Sequence, residues 1–447
     1  MEKLIELAGR ACEAAVAAGA KEADAVVSDG RSVSLEIERN SVKTCDVEYD
    51  AGYCVRAICR GGVGYARGRG LEEAAVLEAG AAAAAMACEA QPDPDFVALP
   101  EPAGKISSPE GMFDPAVAGF EPSKLIEWGL SSVEAALGVD PELIVRFGAG
   151  ASSAKYALAN SRGVRVCEEG TYVSLFSMVV ARRGDDVGSY YDYSQARVLG
   201  DIEQPGVVAK KAAEKALSFL GGRKMESGAF PVVFGPLAAY DFIRGVVGAA
   251  SAEEIQRGRS YLAGKRAVRI ASDVLTVEED PFAAAGLYSS AHDGEGTPRV
   301  RAELIASGEL TSYLHNSYTA NKAGEKNNGH ASRGSYSSDV GVGFTNMSIR
   351  PGAEKEADMI SRIGDGLYVF MASASPNPVS GQISGTVDFG FRIKNGELAW
   401  PVRNVMLGGE VFDWLNSVEA VSSDYREEKG NIMPSLLFGN LHVSGGA

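Results

Sequence analysis

Apolar residues recur at helical spacing at the start of the chain. Leu4, Ile5, Leu7, Ala8, Ala11 and Ala15 share one face and Gly19 ends the pattern, which predicts a helix over residues 2–20. The period then changes to two. Val33, Leu35 and Ile37 alternate with polar residues, and the run 53–60 continues the alternation, as half-buried strands do. The glycine-rich segment 61–70 reads as a turn or sheet edge, and residues 71–90 as a second helix, rich in Ala and Glu. Five prolines break the pattern over 91–111. A third helix is predicted from Pro122 to Gly138, strands over 143–196 with a tight turn at 160–163, and a fourth helix over 203–220. The aromatic run 190–193 reads as sheet-face packing.

The segment 221–230 is the predicted boundary between two domains, 1–222 and 223–447. The second opens with a short buried strand, 230–236, and an apolar helix, 237–256, expected to lie in the core. Short strands and turns follow. Residues 306–310 and 394–398 carry hairpin turns flanked by apolar alternation. The fold class is α+β: a mixed α/β domain followed by a mainly antiparallel β domain with one buried helix. There is no steady βαβ alternation to support a doubly wound sheet.

Composition narrows the function. With 447 residues, two domains is the expected division. A net charge of -16 opposes a broad nucleic-acid surface, since phosphate binding needs clustered Lys and Arg. The N-terminus carries charges where a signal peptide would be apolar, and no run of about 18 apolar residues exists to cross a bilayer. A cytoplasmic protein with no membrane partner is expected. The six cysteines (Cys12, Cys45, Cys54, Cys59, Cys88 and Cys167) show no CxxC spacing and read as buried thiols rather than disulfides.

Polar chemistry concentrates between His292 and Arg333. Three of the four histidines lie there, His292, His315 and His330, with Asp293, Glu295 and Asn316 among many turn formers. Two readings compete: hydrated hairpins, or the lining of a peptide cavity. His292 with Asp293 and Glu295 offers metal donors, but no HExxH motif is present. A GxSxG elbow and a GxxxxGK[ST] loop are also absent.

Several separate blocks carry a resemblance. Residues 257–281, 292–334, 366–373, 385–409 and 421–446 occur in the order found in the TldD/PmbA (TldE) family of metallopeptidase-related proteins, which the chain resembles along nearly its whole length. In that family the zinc subunit carries HExxxH on the buried helix, and a cysteine near the C-terminus completes the site. On this chain the motif positions fall on Arg244, Gly245 and Ala249, with the Gly248 spacer kept, and the C-terminal block reads Asn431, Ile432, Met433 with no cysteine.

The resemblance therefore implies a PmbA/TldE-type subunit with no catalytic residue and no metal of its own. It would pair with a TldD-type subunit that carries the zinc, and the heterodimer would cleave unfolded peptides in an enclosed cavity. His292, Asp293, Glu295, His315, Asn316, His330 and Arg333 are the residues expected to line that cavity. Two alternatives stay open: a homodimeric peptide-binding or regulatory protein without catalysis, and a peptidase whose metal sits on His292, His315 and His330.

Overall fold

The computed structural model describes residues 1–96, 98–104 and 106–446. Its N-terminal half is built twice from one plan. Helix α1 (Glu2–Ala17), strands β1 (Glu22–Glu38), β2 (Ser41–Cys59) and β3 (Gly62–Arg69), and helix α2 (Glu73–Glu89) make the first copy. After the short helix α3 (Pro115–Ala118), helix α4 (Pro122–Val139), strands β4 (Ile144–Asn160), β5 (Arg165–Arg183) and β6 (Asp186–Ala196), and helix α5 (Pro205–Ser218) make the second. Matching strands have matching lengths: β1 and β4 have 17 residues each, β2 and β5 have 19 each. The copies join through β1 and β4 into one antiparallel six-stranded sheet, ordered β3-β2-β1-β4-β5-β6. Arg31 faces Ser153 near the middle of the joining ladder, where a local two-fold would pass.

The period of two divides this sheet cleanly. Ala23, Ala25 and Val27 pack under α1 and α2, while Val33, Leu35 and Ile37 pack under α4 and α5. All six point to one face, so all four long helices cover it. The Ala-rich helices approach closely: a Cβ on Gly80 would meet the Ala11 carbonyl oxygen at 2.5 Å. One cysteine expectation is corrected here. Cys59 at the end of β2 and Cys88 at the end of α2 form a disulfide, their Cα atoms 4.9 Å apart. They are 29 residues apart in sequence, and only the packing of α2 back along the sheet brings them together. Cys12, Cys45, Cys54 and Cys167 are free thiols.

The C-terminal half is a small barrel. Strand β7 (Gly228–Phe234) lies parallel to Asp365–Ser373 and antiparallel to Asn431–Ser444. Met406–Glu410 and Gln382–Lys394 follow, and Gln382–Lys394 pairs back onto Asp365–Ser373, closing five strands into a ring. Helix α6 (Pro236–Gly248) fills one end. Phe242 meets Phe234, Trp414 and Phe438 with ring centroids 5.5–6.2 Å apart. The predicted hairpin turns are present. Ser307–Gly308 and Asn395–Gly396 all have positive φ, as two-residue turns of this kind require.

The predicted helix 237–256 is two helices. α6 stops at Gly248, and after Ala249–Ser251 the chain restarts as α7 (Ala252–Gln256). Arg244 does not lie inside the core as the expected burial of that helix required. Asp241, Arg244 and Gly248 form an exposed face, while Phe242, Ile243, Val246 and Val247 are buried. Gly248 has open space beside it rather than a tightly packed neighbour. The two halves meet partly through rings: Tyr190 of β6 and Phe219 contact Phe370 and Phe389 of the barrel, with centroids 5.1–6.2 Å apart. No helix among the described residues is long and apolar enough to cross a membrane.

Candidate functional site

The face of the first sheet that bears no helix carries a buried ion pair, Asp24 on β1 and Arg56 opposite it on β2. The polar segment beginning at His292 folds onto this face. Asp24 Oδ2 accepts hydrogen bonds from Arg56 Nε at 3.1 Å and Arg333 Nη2 at 3.0 Å. Arg56 Nη2 also donates to Glu295 Oε1 at 2.8 Å, and Glu295 Oε2 accepts from the Ser317 amide at 2.9 Å. All four charged side chains are 2–5% exposed. Burial opposes ionisation of Asp24, but Arg56 and Arg333 overcome it and hold the carboxyl below its usual range. The cluster is balanced in charge. Its sequence signal is a charge in the middle of an apolar strand run, in Asp24-Ala25-Val26-Val27 and in Cys54-Val55-Arg56-Ala57.

The remaining candidates are also bound into the structure. Asp293 accepts from the amides of Glu295, Thr297 and Ala331 at 2.9–3.0 Å, tying the turn into a knot. Its carboxyl is pushed up to about 6 by burial and then by Glu295. Asn316 caps the short helix Ser317–Ala323, accepting from the Thr319 amide at 2.9 Å. The His315 ring contacts Thr319 Oγ1 at 3.3 Å, and burial pushes its pKa down. His330 sits between Glu279 Oε2, at 2.7 Å, and Asn328 Oδ1, at 2.8 Å. Glu279 in turn accepts from the amide and hydroxyl of Thr345.

His292 stands apart, its Nδ1 3.9 Å from Glu168 Oε1. The three histidines thus have three separate sets of partners and do not converge on one point. Among the described residues no group of three or more His, Cys, Asp or Glu side chains is placed to hold a metal ion. The segment is not a pair of hydrated hairpins, and part of it is a cavity wall: Thr297, Pro298, Ser317, Asn321, Asn327 and Asn328 line a cavity of about 610 Å³. Glu295, His315, Asn316 and His330 are buried in the seam.

Open space does run along the seam. His292, Asp293 and Arg333 line a cavity of about 210 Å³ together with Tyr156, Glu168 and Arg299. A second of about 440 Å³ shares Glu168 and Arg299 with it and adds Tyr172, Arg197, Tyr288 and Phe344. Phe344 also borders a third, of about 630 Å³, over the exposed face of α6. Asp241, Arg244, Gly245, Gly248, Ala372, Ser373 and Ser375 complete the third. Asp241 is pushed up by burial, against the pull of Arg244. Neither Asp241, Phe344 nor Ser373 was anticipated, because they come from three segments far apart in the chain.

Three family descriptions match this chain in order: PmbA/TldA metallopeptidase domain 1 over residues 23–87, the central domain over 117–220 and the C-terminal domain over 227–445. The chain belongs to the PmbA/TldD metallopeptidase family. Domain 1 and the central domain of the family coincide with the two copies of the repeated plan. An uncharacterized protein of Methanocaldococcus jannaschii is 30% identical over 91% of this chain and 92% of its own length. Metalloprotease PmbA of Escherichia coli is 27% identical over 95% of this chain and 92% of its own. The crystal structure of TldE from Thermococcus kodakarensis superposes with a TM-score of 0.89 at 26% identity, covering 97% of this chain and 99% of that one.

The family name implies a metal, but the motif positions at and just after the end of α6 carry no zinc ligand. Arg244 offers a cation, while Gly245 and Ala249 offer no donor, and Ala249 is buried. Zinc takes thiolate, imidazole or carboxylate ligands. At the C-terminal block Asn431 is already committed: its Oδ1 accepts from Tyr240 OH and the Met347 amide, each at 3.0 Å. This donor set does not fit zinc.

Proposed function

We propose that this PmbA/TldD-family chain is the non-catalytic, PmbA/TldE-like subunit of a two-component zinc peptidase that cleaves unfolded peptides. The zinc would belong to a TldD-type partner in the cytoplasm, and this chain would shape the substrate cavity. The observation that carries the reading is α6 itself. Its solvent face opens onto a cavity of about 630 Å³, yet it presents Arg244 and Gly245 where a metal centre needs donors. The cavity suits an extended chain. Pairing of β7 with Asp365–Ser373 ends at Phe234 and Val369, so Ala372 and Ser373 border the cavity beyond the last rung. An extended peptide can add to such an edge through its backbone.

The test is elemental analysis of the chain expressed alone and dialysed against a mild chelator, followed by cleavage of a denatured, labelled polypeptide with and without a TldD-type subunit. The expected result is no stoichiometric zinc, no cleavage alone, and cleavage after the partner is added. One zinc per chain, or cleavage by the chain alone, would reverse the reading. No cleavage with the partner would favour the homodimeric binding protein.

A further inference from the structure

We infer that Arg244 is an anion-recognition residue, binding a carboxylate of the peptide that enters the cavity over α6. The inference rests on the peptide-cavity reading above and deepens it by naming the substrate feature recognised. Four observations carry it. First, an arginine keeps its charge at any working pH, and its planar fork matches a carboxylate with two parallel hydrogen bonds. Second, the Arg244 side chain forms no ion pair or hydrogen bond with another described residue, although the chain as a whole carries 59 acidic side chains against 43 Lys and Arg. Most other arginines that border the seam are tied down: Arg56 and Arg333 to Asp24, Arg426 to Asp192, Arg197 to two backbone carbonyls.

Third, the ground beside Arg244 is cleared. Gly248 lies one turn beyond Arg244 on the same face, and a Cβ there would meet nothing within 4 Å, while Ser375 and Pro376 stand over Gly245. A ligand can therefore lie along the helix and reach the guanidinium. Fourth, the surroundings are those of a peptide. Phe344 supplies an apolar wall, Ser373 and Ser375 supply hydroxyls, and the strand edge at Ala372 and Ser373 supplies backbone groups. The one acid in this cavity, Asp241, lies one turn before Arg244 on the same face without pairing with it.

The probe is an alanine-rich octapeptide labelled with fluorescein at its N-terminus, made as the free acid, as the C-terminal amide, and as an amide with one internal glutamate. Binding to the full chain is read by fluorescence anisotropy, for the wild type, Arg244→Gln and Arg244→Lys. The free acid is expected to bind about tenfold or more tightly than the plain amide. Arg244→Gln should remove that difference while leaving the amide unchanged, and Arg244→Lys should keep part of it. If the glutamate peptide matches the free acid, the site reads any peptide carboxylate; if only the free acid gains, it reads a chain terminus. Equal binding of all three peptides to the wild type, or a preference that survives Arg244→Gln, overturns the role of Arg244 and leaves the peptide cavity standing. No binding of any peptide overturns both this inference and the cavity reading.

Discussion

Asp24 on the first strand accepts a hydrogen bond at 3.0 Å from Arg333, 309 residues later, and both side chains are 2% exposed. The pair joins the first sheet to the polar segment that begins at His292. Arg56 holds Asp24 from the other side and reaches on to Glu295. Breaking a buried pair is costly because it strands a charge: about 3–5 kcal/mol is typical. Arg56→Met leaves Glu295 with no cation and Asp24 with Arg333 alone, whereas Arg333→Met leaves both carboxylates still held by Arg56. The expected order in guanidinium-chloride unfolding is therefore Arg56→Met at about 3–5 kcal/mol lost and Arg333→Met at clearly less. The reverse order would show that Arg56 does not bear most of the cluster.

Asp293 gives the seam an acid-side preference. A carboxyl whose folded pKa is raised stabilises the fold below its unfolded value and loses that contribution as pH climbs through the folded value, here about 6. The shift of roughly two units corresponds to about 3 kcal/mol. Relative to Asp293→Asn, the wild type should therefore lose about 3 kcal/mol of stability between about pH 3.5 and about pH 7. Unfolding free energies measured at both ends check this, and a gap that does not change with pH would remove Asp293 as the titrating group.

Glu279 works in the opposite sense. Burial opposes its charge, but hydrogen bonds from His330 and Thr345 prevail and hold its pKa down. A depressed acid contributes stability above its unfolded value that is lost as pH falls through the folded one. Glu279→Gln should cost about 2–3 kcal/mol near pH 7, and progressively less below about pH 4. Thermal melts of the two proteins across that range would show the curves converge, and parallel curves would contradict it.

Gly296 is a steric hinge pin of the seam. Its φ is +83°, and a Cβ there would lie 2.4 Å from Val164 Cγ1. Both the left-handed backbone and the contact disfavour a side chain. Gly296→Ala should destabilise the protein by about 2–3 kcal/mol. The control is Gly324→Ala: Gly324 also has positive φ, +65°, but open space around it. Equal losses at the two positions would assign the effect to backbone strain alone and not to the packing of the seam against Val164.

Much of this protein was legible locally. Helical spacing located α1, α2, α4 and α5 to within a few residues, because each of these helices buries one face against one sheet. The turns at Ser307–Gly308 and Asn395–Gly396 follow from residues that tolerate positive φ. The identity of residues 244, 245 and 249, and with it the absence of metal donors at the family's motif positions, needs no coordinates at all.

What tertiary structure alone decided is non-local. The repeated plan depends on β1 meeting β4 in register, a pairing across more than a hundred residues that alternation cannot specify. The same holds for closure of the barrel by Gln382–Lys394 on Asp365–Ser373, and for the Cys59–Cys88 bond. Which face of α6 meets water was decided by the rings of Phe234, Trp414 and Phe438, which claim Phe242 and turn Arg244 outward. The burial of the polar segment from His292 to Arg333 is hidden from the sequence for the same reason. Composition records how much charge a segment carries, whereas its burial depends on whether the opposite charge waits on another surface, as Asp24 and Arg56 do here.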